Sequence, residues 1–146
     1  MPNLYPTFNL PTIIPRQNPV AKKYYPAPFF DYDSGDFLFD SAGRVKIANG
    51  QEAFEQWCIK VCSTERGTKL AYSDAIGTEF EAAMKYTDIA AVKSSIVRTI
   101  TESIMIHPVA EYVKNFRFTV EGEHVWVTFD VKGKDFANVS TLKVVY

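Results

Sequence analysis

The sequence predicts an α+β fold: one small domain of two or three helices packed on an antiparallel or mixed sheet, preceded by an extended Pro-rich arm. Three observations carry this. Proline crowds into the first thirty residues, two later segments repeat apolar residues at helical spacing, and beyond residue 110 the apolar period falls to two. A chain of 146 residues fits one domain. Composition divides it into an arm over 1–30 and a domain over 31–146.

Seven of the eight prolines lie before residue 30, interleaved with Tyr5, Phe8, Ile13, Ile14, Tyr24, Tyr25, Phe29 and Phe30. Proline removes backbone donors and forbids regular helix or central strand, so this stretch reads as extended. A solvated linker has little use for the apolar residues between the prolines. They argue for docking, with Tyr5, Phe8, Tyr24 and Tyr25 as candidate partner-binding anchors; a plain flexible tail is the alternative.

The domain opens with a β-hairpin. Apolar residues alternate in Asp36-Phe37-Leu38-Phe39-Asp40 and in Arg44-Val45-Lys46-Ile47-Ala48, on either side of Ser41-Ala42-Gly43. Asn49 can cap the helix that follows, with Glu52 standing three residues on as in a capping box. Phe54, Trp57, Cys58, Val61 and Cys62 form one buried stripe along it. No period holds from Ser63 to Gly77, which reads as a loop. Thr78 with Glu81 resembles a second helix start, over about 79–86. Asp88 can cap a longer helix whose Ile89, Val92, Ile96, Ile100 and Ile104 share a face until Pro108 ends it.

The period then becomes two. Phe116, Phe118 and Val120 alternate with polar residues, Glu121-Gly122-Glu123 turns, and Val125, Val127, Phe129 and Val131 alternate again. A last strand covers 142–146 after the polar break at 132–135.

The totals exclude several functions. With 16 basic against 17 acidic residues, no overall field draws the chain to nucleic acid or an anionic membrane. No stretch is long and apolar enough to span a bilayer and no signal-peptide pattern opens the chain, so a soluble protein made in the cytoplasm is expected. Cys58 and Cys62 sit one helical turn apart, a spacing that two metal-bound thiolates could use. His107 and His124 have no paired spacing, however, and cysteines on a buried stripe ordinarily pack as small hydrophobes. No metal or cofactor is expected.

Nor does catalytic chemistry stand out. No serine is flanked by glycines, no Gly-rich run opens a helix, and the neighbouring carboxylates Glu79/Glu81 and Asp31/Asp33/Asp36 read as solvated or helix-initiating acids. The chain is expected to be no enzyme and to take no small-molecule substrate. Thr64-Glu65-Arg66-Gly67 is different, being charged directly after a buried helix. Arg66 can bond a carboxylate bidentately and Glu65 can pin a loop or a partner. Such a pair either holds its own loop through to Gly77 or reaches outward, and the outward reading leaves the stability of an Arg66→Ala variant unchanged.

Taken in order, several short segments resemble a known family. They are Gly35-Asp36-Phe37 with Phe39-Asp40, Gly43-Arg44, Gly50 with Glu52-Ala53, Gln56-Trp57, Thr64-Glu65-Arg66, Tyr72-Ser73, Gly77 with Glu79, Val92-Lys93-Ser94 with Ile96 and Arg98, and Val113 with Asn115-Phe116. Over about residues 31–132 they resemble the short baseplate wedge proteins of contractile tails, in the XkdS-like branch of PBSX-type prophage particles. More distantly the chain is similar to the sheath-starting wedge protein of myophages and to TssE of type VI secretion.

The resemblance implies a virion structural protein, a baseplate wedge subunit that binds the wedge core bundle and helps initiate or anchor the sheath. Implied partners are other wedge proteins, the tail sheath protein and the central hub or tube, in a particle assembled in the bacterial host cytoplasm. In that family a Glu-Arg loop after the first long helix meets the core bundle, and the matching positions are Glu65 and Arg66. Some members of that family carry prolines where this chain has Lys69-Leu70-Ala71. Two other readings remain: a baseplate-associated cell-wall hydrolase, and a free-standing protein-binding adaptor.

Overall fold

A computed structural model describes residues 24–146 and shows a mixed α+β domain. The candidate anchors Tyr5 and Phe8 lie outside the described residues. The expected hairpin forms: Phe39 bridges Val45, Asp40 Oδ1 accepts from the Ala42 and Arg44 amides at 2.8 and 2.9 Å, and Gly43 turns the chain at φ +74°. A strand also enters that hairpin from the N-terminal side. β1 (Ala27–Pro28) pairs with β4 (Ile47–Ala48), and β2 (Phe30–Asp31) pairs with β3 (Asp36–Phe37). Phe29 between them donates to Lys46 O at 2.8 Å and accepts from Leu38 N at 3.0 Å. The end of the Pro-rich stretch is therefore held by main-chain bonds, with Phe29 supplying the donor that Pro28 lacks.

Helix α1 (Gln51–Cys62) buries Ala53, Phe54, Cys58, Val61 and Cys62. Two expectations about it need correction. Gly50, not Asn49, is its N-cap; the Asn49 amide turns back to Ile47 O at 3.4 Å, because Gly50 at φ +55° already redirects the chain. Trp57 is only half buried, stacked beside Phe54 and edge-on to His107 at the rim of the core.

α2 (Phe80–Ala83) is shorter than the expected helix, and Thr78 does not cap it. The Thr78 hydroxyl is buried and donates to Cys62 O at 3.2 Å. In α3 (Ile89–Met105), Asp88 caps as expected, accepting from Ala91 N at 3.0 Å. Ile96, Ile100 and Ile104 are buried, whereas Ile89, in the first turn, stands exposed beyond the core.

β5 (Ala110–Glu121), β6 (His124–Gly133) and β7 (Ser140–Val145) form an antiparallel sheet in the order β5-β6-β7. The turn lies where the sequence puts it, with Glu121 opposite His124 and Gly122 at φ +63°. Val127, Phe129, Val131, Leu142 and Val144 face the buried sides of α1 and α3, and this layer is the core. Each such side chain removed from water stabilises the fold by about 1.5–3 kcal/mol. Gln51 ties α1 to the sheet, its amide 2.7 Å from Ser140 Oγ.

Candidate functional site: a braced loop and an open sheet edge

The loop after α1 is a built structure. Thr78 N donates to Thr64 O and Arg66 N to Thr78 O, both at 2.8 Å, so the two limbs of the loop run side by side. Gly77 sits between them at φ +109°, where a Cβ would lie 2.7 Å from Thr64 O. Only glycine permits that approach.

Arg66 braces the limbs with its fork. Nη1 lies 2.8 Å from Glu79 Oε1, Nε donates to Gly77 O at 3.2 Å, and Nη2 reaches Ser103 Oγ on α3 at 3.3 Å. The Arg66 side chain is 23% exposed. Glu65 Oε2 accepts from Phe80 N at 3.1 Å and Glu81 N at 3.5 Å, so the carboxylate serves the start of α2 where Thr78 was expected. Thr99 Oγ1 accepts from Glu79 N at 2.8 Å. The sequence pair Glu65 and Arg66 is thus turned onto its own chain and fixes the loop's shape. The apex, residues 67–71, faces solvent with Leu70 fully exposed.

Of the aromatic anchors within the described residues, Tyr24 turns inward, 5.9 Å from the Phe54 ring and 4.9 Å from His107. Burial pushes its hydroxyl pKa up, with a smaller contribution from Cys58. Tyr25 is 74% exposed. His107 Nδ1 accepts from Val109 N at 3.2 Å, and burial holds the imidazole pKa below its ordinary value.

The sequence suggests surface strands that extend a neighbour's sheet but not which strand lies at an edge, because alternation identifies strands and not their neighbours. Among the described residues neither β5 nor β7 has an outer partner. The edges differ. β5 is broken by a register shift between Lys114 and Arg117, with Asn115 at φ +59°, and carries charged side chains there, devices that discourage strand pairing. β7 is regular. Val125 and Tyr146 exchange both main-chain bonds, at 2.9 and 3.0 Å. By alternation Thr141, Lys143 and Val145 turn their N–H and C=O outward.

Burial, first, and then Cys62 push the Cys58 thiol pKa well up, and burial does the same to Cys62. The carboxyls that shift all shift down: Asp31 through the Ser34 hydroxyl and Asp33 amide, Asp40 chiefly through the Arg44 amide, and Asp130 through Asn115 and Thr141. A general acid needs the opposite shift. Among the described residues no group of three or more His, Cys, Asp or Glu could hold a metal ion, and no helix is long and apolar enough to cross a membrane.

A braced loop and an open strand edge are surfaces through which a protein can join an assembly. The model of one family, the contractile injection system sheath initiator, matches residues 28–135, and the chain belongs to that family. Membership makes it a sheath initiator of a contractile injection system. A chain in the cryo-EM structure of the anti-feeding prophage baseplate, 6-fold symmetrised, shares the fold, with a TM-score of 0.50 at 18% identity over 85% of this chain and 87% of that one. Comparison with curated proteins gives no match.

Proposed function

We propose that this sheath initiator is a non-enzymatic wedge subunit that starts the sheath by strand addition on β7, while the braced loop of residues 63–79 docks on the wedge core. Main-chain bonds to an extended strand would supply affinity, and the exposed Thr141, Lys143 and Val145 side chains register. Glu65 and Arg66 serve the second contact by holding the loop in one shape. A surface ordered beforehand binds without the entropic cost of ordering it. Tyr25, with Tyr5 and Phe8 of the N-terminal arm over 1–30, anchors the subunit to a baseplate neighbour, and assembly takes place in the host cytoplasm.

The observation that carries this reading is the regular outer edge of β7, without a partner among the described residues, beside a β5 edge protected by its bulge. Proline at an outward-facing edge position leaves the sheet's own bonds intact but removes the donor that an added strand needs. Lys143→Pro should therefore melt near the wild type, less about 0.5–1 kcal/mol for the lost Lys143–Trp126 cation–π contact. It should enter baseplates yet fail to recruit sheath protein when mixed with the co-encoded components. Val120→Pro, on β5, should recruit sheath normally. Sheath recruitment by Lys143→Pro would remove β7 as the docking edge.

A further inference from the structure

The strand run 27–37 and α1 enclose an apolar cleft of about 460 Å³, with Tyr24, Pro28, Phe30, Phe37, Gln56 and Trp57 in its walls. The rings are held edge to face, Phe30 lying 5.3 Å from Phe37 and 5.0 Å from Tyr32. Two walls carry donors. Gln56 Oε1 accepts from Phe30 N at 3.3 Å, but its Nε2, like the Trp57 indole N–H, has no acceptor among the described residues. Aromatic ridges with spare side-chain donors suit one kind of ligand, an extended Pro-rich segment. Its pyrrolidine rings pack between the aromatics, and its carbonyls, unpaired within the segment, accept the donors.

We propose that in the unassembled chain this cleft holds the chain's own residues 10–16, docked in cis as an extended polyproline-type ligand. That segment reads Leu-Pro-Thr-Ile-Ile-Pro-Arg, with Pro11 and Pro15 flanking two aliphatic side chains. Charge agrees: residues 1–30 contain no acid and include Arg16, Lys22 and Lys23, while the turn beside the cleft carries Asp31, Asp33 and Asp36. None of those three aspartates forms an ion pair among the described residues.

Connectivity agrees as well. The N-terminal segment joins the domain at Tyr24, itself a wall of the cleft, and the intervening residues 17–23 can span roughly 23 Å at about 3.3 Å each, enough to turn back across it. A tether this short holds the segment at an effective concentration on the order of millimolar, above that of a free partner or second copy. The inference concerns the free chain and stands apart from strand addition on β7. An arm that later anchors to a neighbour must first leave the cleft.

The test uses full-length protein. In a variant with residues 10–16 replaced by Gly and Ser at equal length, the Trp57 indole N–H cross-peak should move and its hydrogen exchange accelerate. An unchanged cross-peak would overturn the proposal. A nitroxide on Thr12→Cys then distinguishes occupants, because Cys58 and Cys62 are buried and do not compete for the label. Broadening of the Trp57 signal should be strong and unchanged on tenfold dilution. Broadening that appears when unlabelled ¹⁵N chain is mixed with labelled ¹⁴N chain would show that a second copy fills the cleft, and would overturn docking in cis.

Discussion

Arg66→Ala is the most informative single substitution. The guanidinium makes three contacts, to Glu79, Gly77 O and Ser103, and joins the second limb of the loop to α3. A hydrogen bond involving a charged group contributes about 1.5–3 kcal/mol, and an uncompensated partner costs more when it is dry. Glu79 is 41% exposed and Arg66 23%, so water re-solvates part of what the truncation leaves behind. The net loss works out at about 2–3 kcal/mol. For a chain of this size that lowers Tm by roughly 5–10 °C.

Thermal melts and urea titrations measure the loss directly, and a shift in midpoint at constant m marks it as stability. Arg66→Lys keeps the charge but loses the fork, and should recover about half. A double-mutant cycle with Glu79→Gln should give a coupling of about 1 kcal/mol. A Tm for Arg66→Ala within about 1 °C of wild type would refute the brace and return Arg66 to the outward role. The sequence alone allowed that role, and the geometry now argues against it.

Gly77→Ala should destabilise by about 1–3 kcal/mol, since the new Cβ meets Thr64 O at 2.7 Å in a backbone conformation that alanine resists; chemical denaturation will read it. Phe54→Ala, at 1% exposure, should cost about 3–5 kcal/mol by the same assay. Trp57→Ala should cost distinctly less, because the ring covers only the rim of the core; equal losses would place Trp57 inside it. His107 has a folded pKa depressed below 6.5, so its contribution to stability is fully present above that pH and declines as pH falls through 6.5 toward the folded value. Protonation also removes the Nδ1 acceptor that Val109 N uses. The fall in Tm between pH 7.5 and 5 should therefore be smaller in His107→Gln than in wild type. The lowered carboxyls Asp31, Asp40 and Asp130 act only below pH 4 and do not confound that window.

Local periodicity was a sound guide wherever one element's own residues decide its form. The stripe of α1, the isoleucine face of α3, the Asp88 cap and the Gly122 turn all depend on neighbours a few positions away, so spacing and turn chemistry suffice to find them. The misses have a common cause. Asn49 and Thr78 both look like caps, yet Gly50 performs one role by its backbone and Glu65 the other from fifteen residues away. Trp57 keeps the spacing of a core residue but sits where the covering layer ends.

For function, the order of short motifs along the chain pointed to contractile-tail proteins, and the family model that matches residues 28–135 agrees. Residue chemistry alone also marked Glu65 and Arg66 as a pair worth following. Which way they face was decided only by folding. Gly77 lets the return limb approach Thr64 within hydrogen-bonding distance, and that approach brings Glu79 and Ser103 within reach of a guanidinium that would otherwise have only water. The open edge of β7 is tertiary in the same sense. A strand's alternation records which face is buried, but its lateral neighbours are set by long-range pairing that leaves no local trace, so an edge becomes visible only once the sheet is assembled.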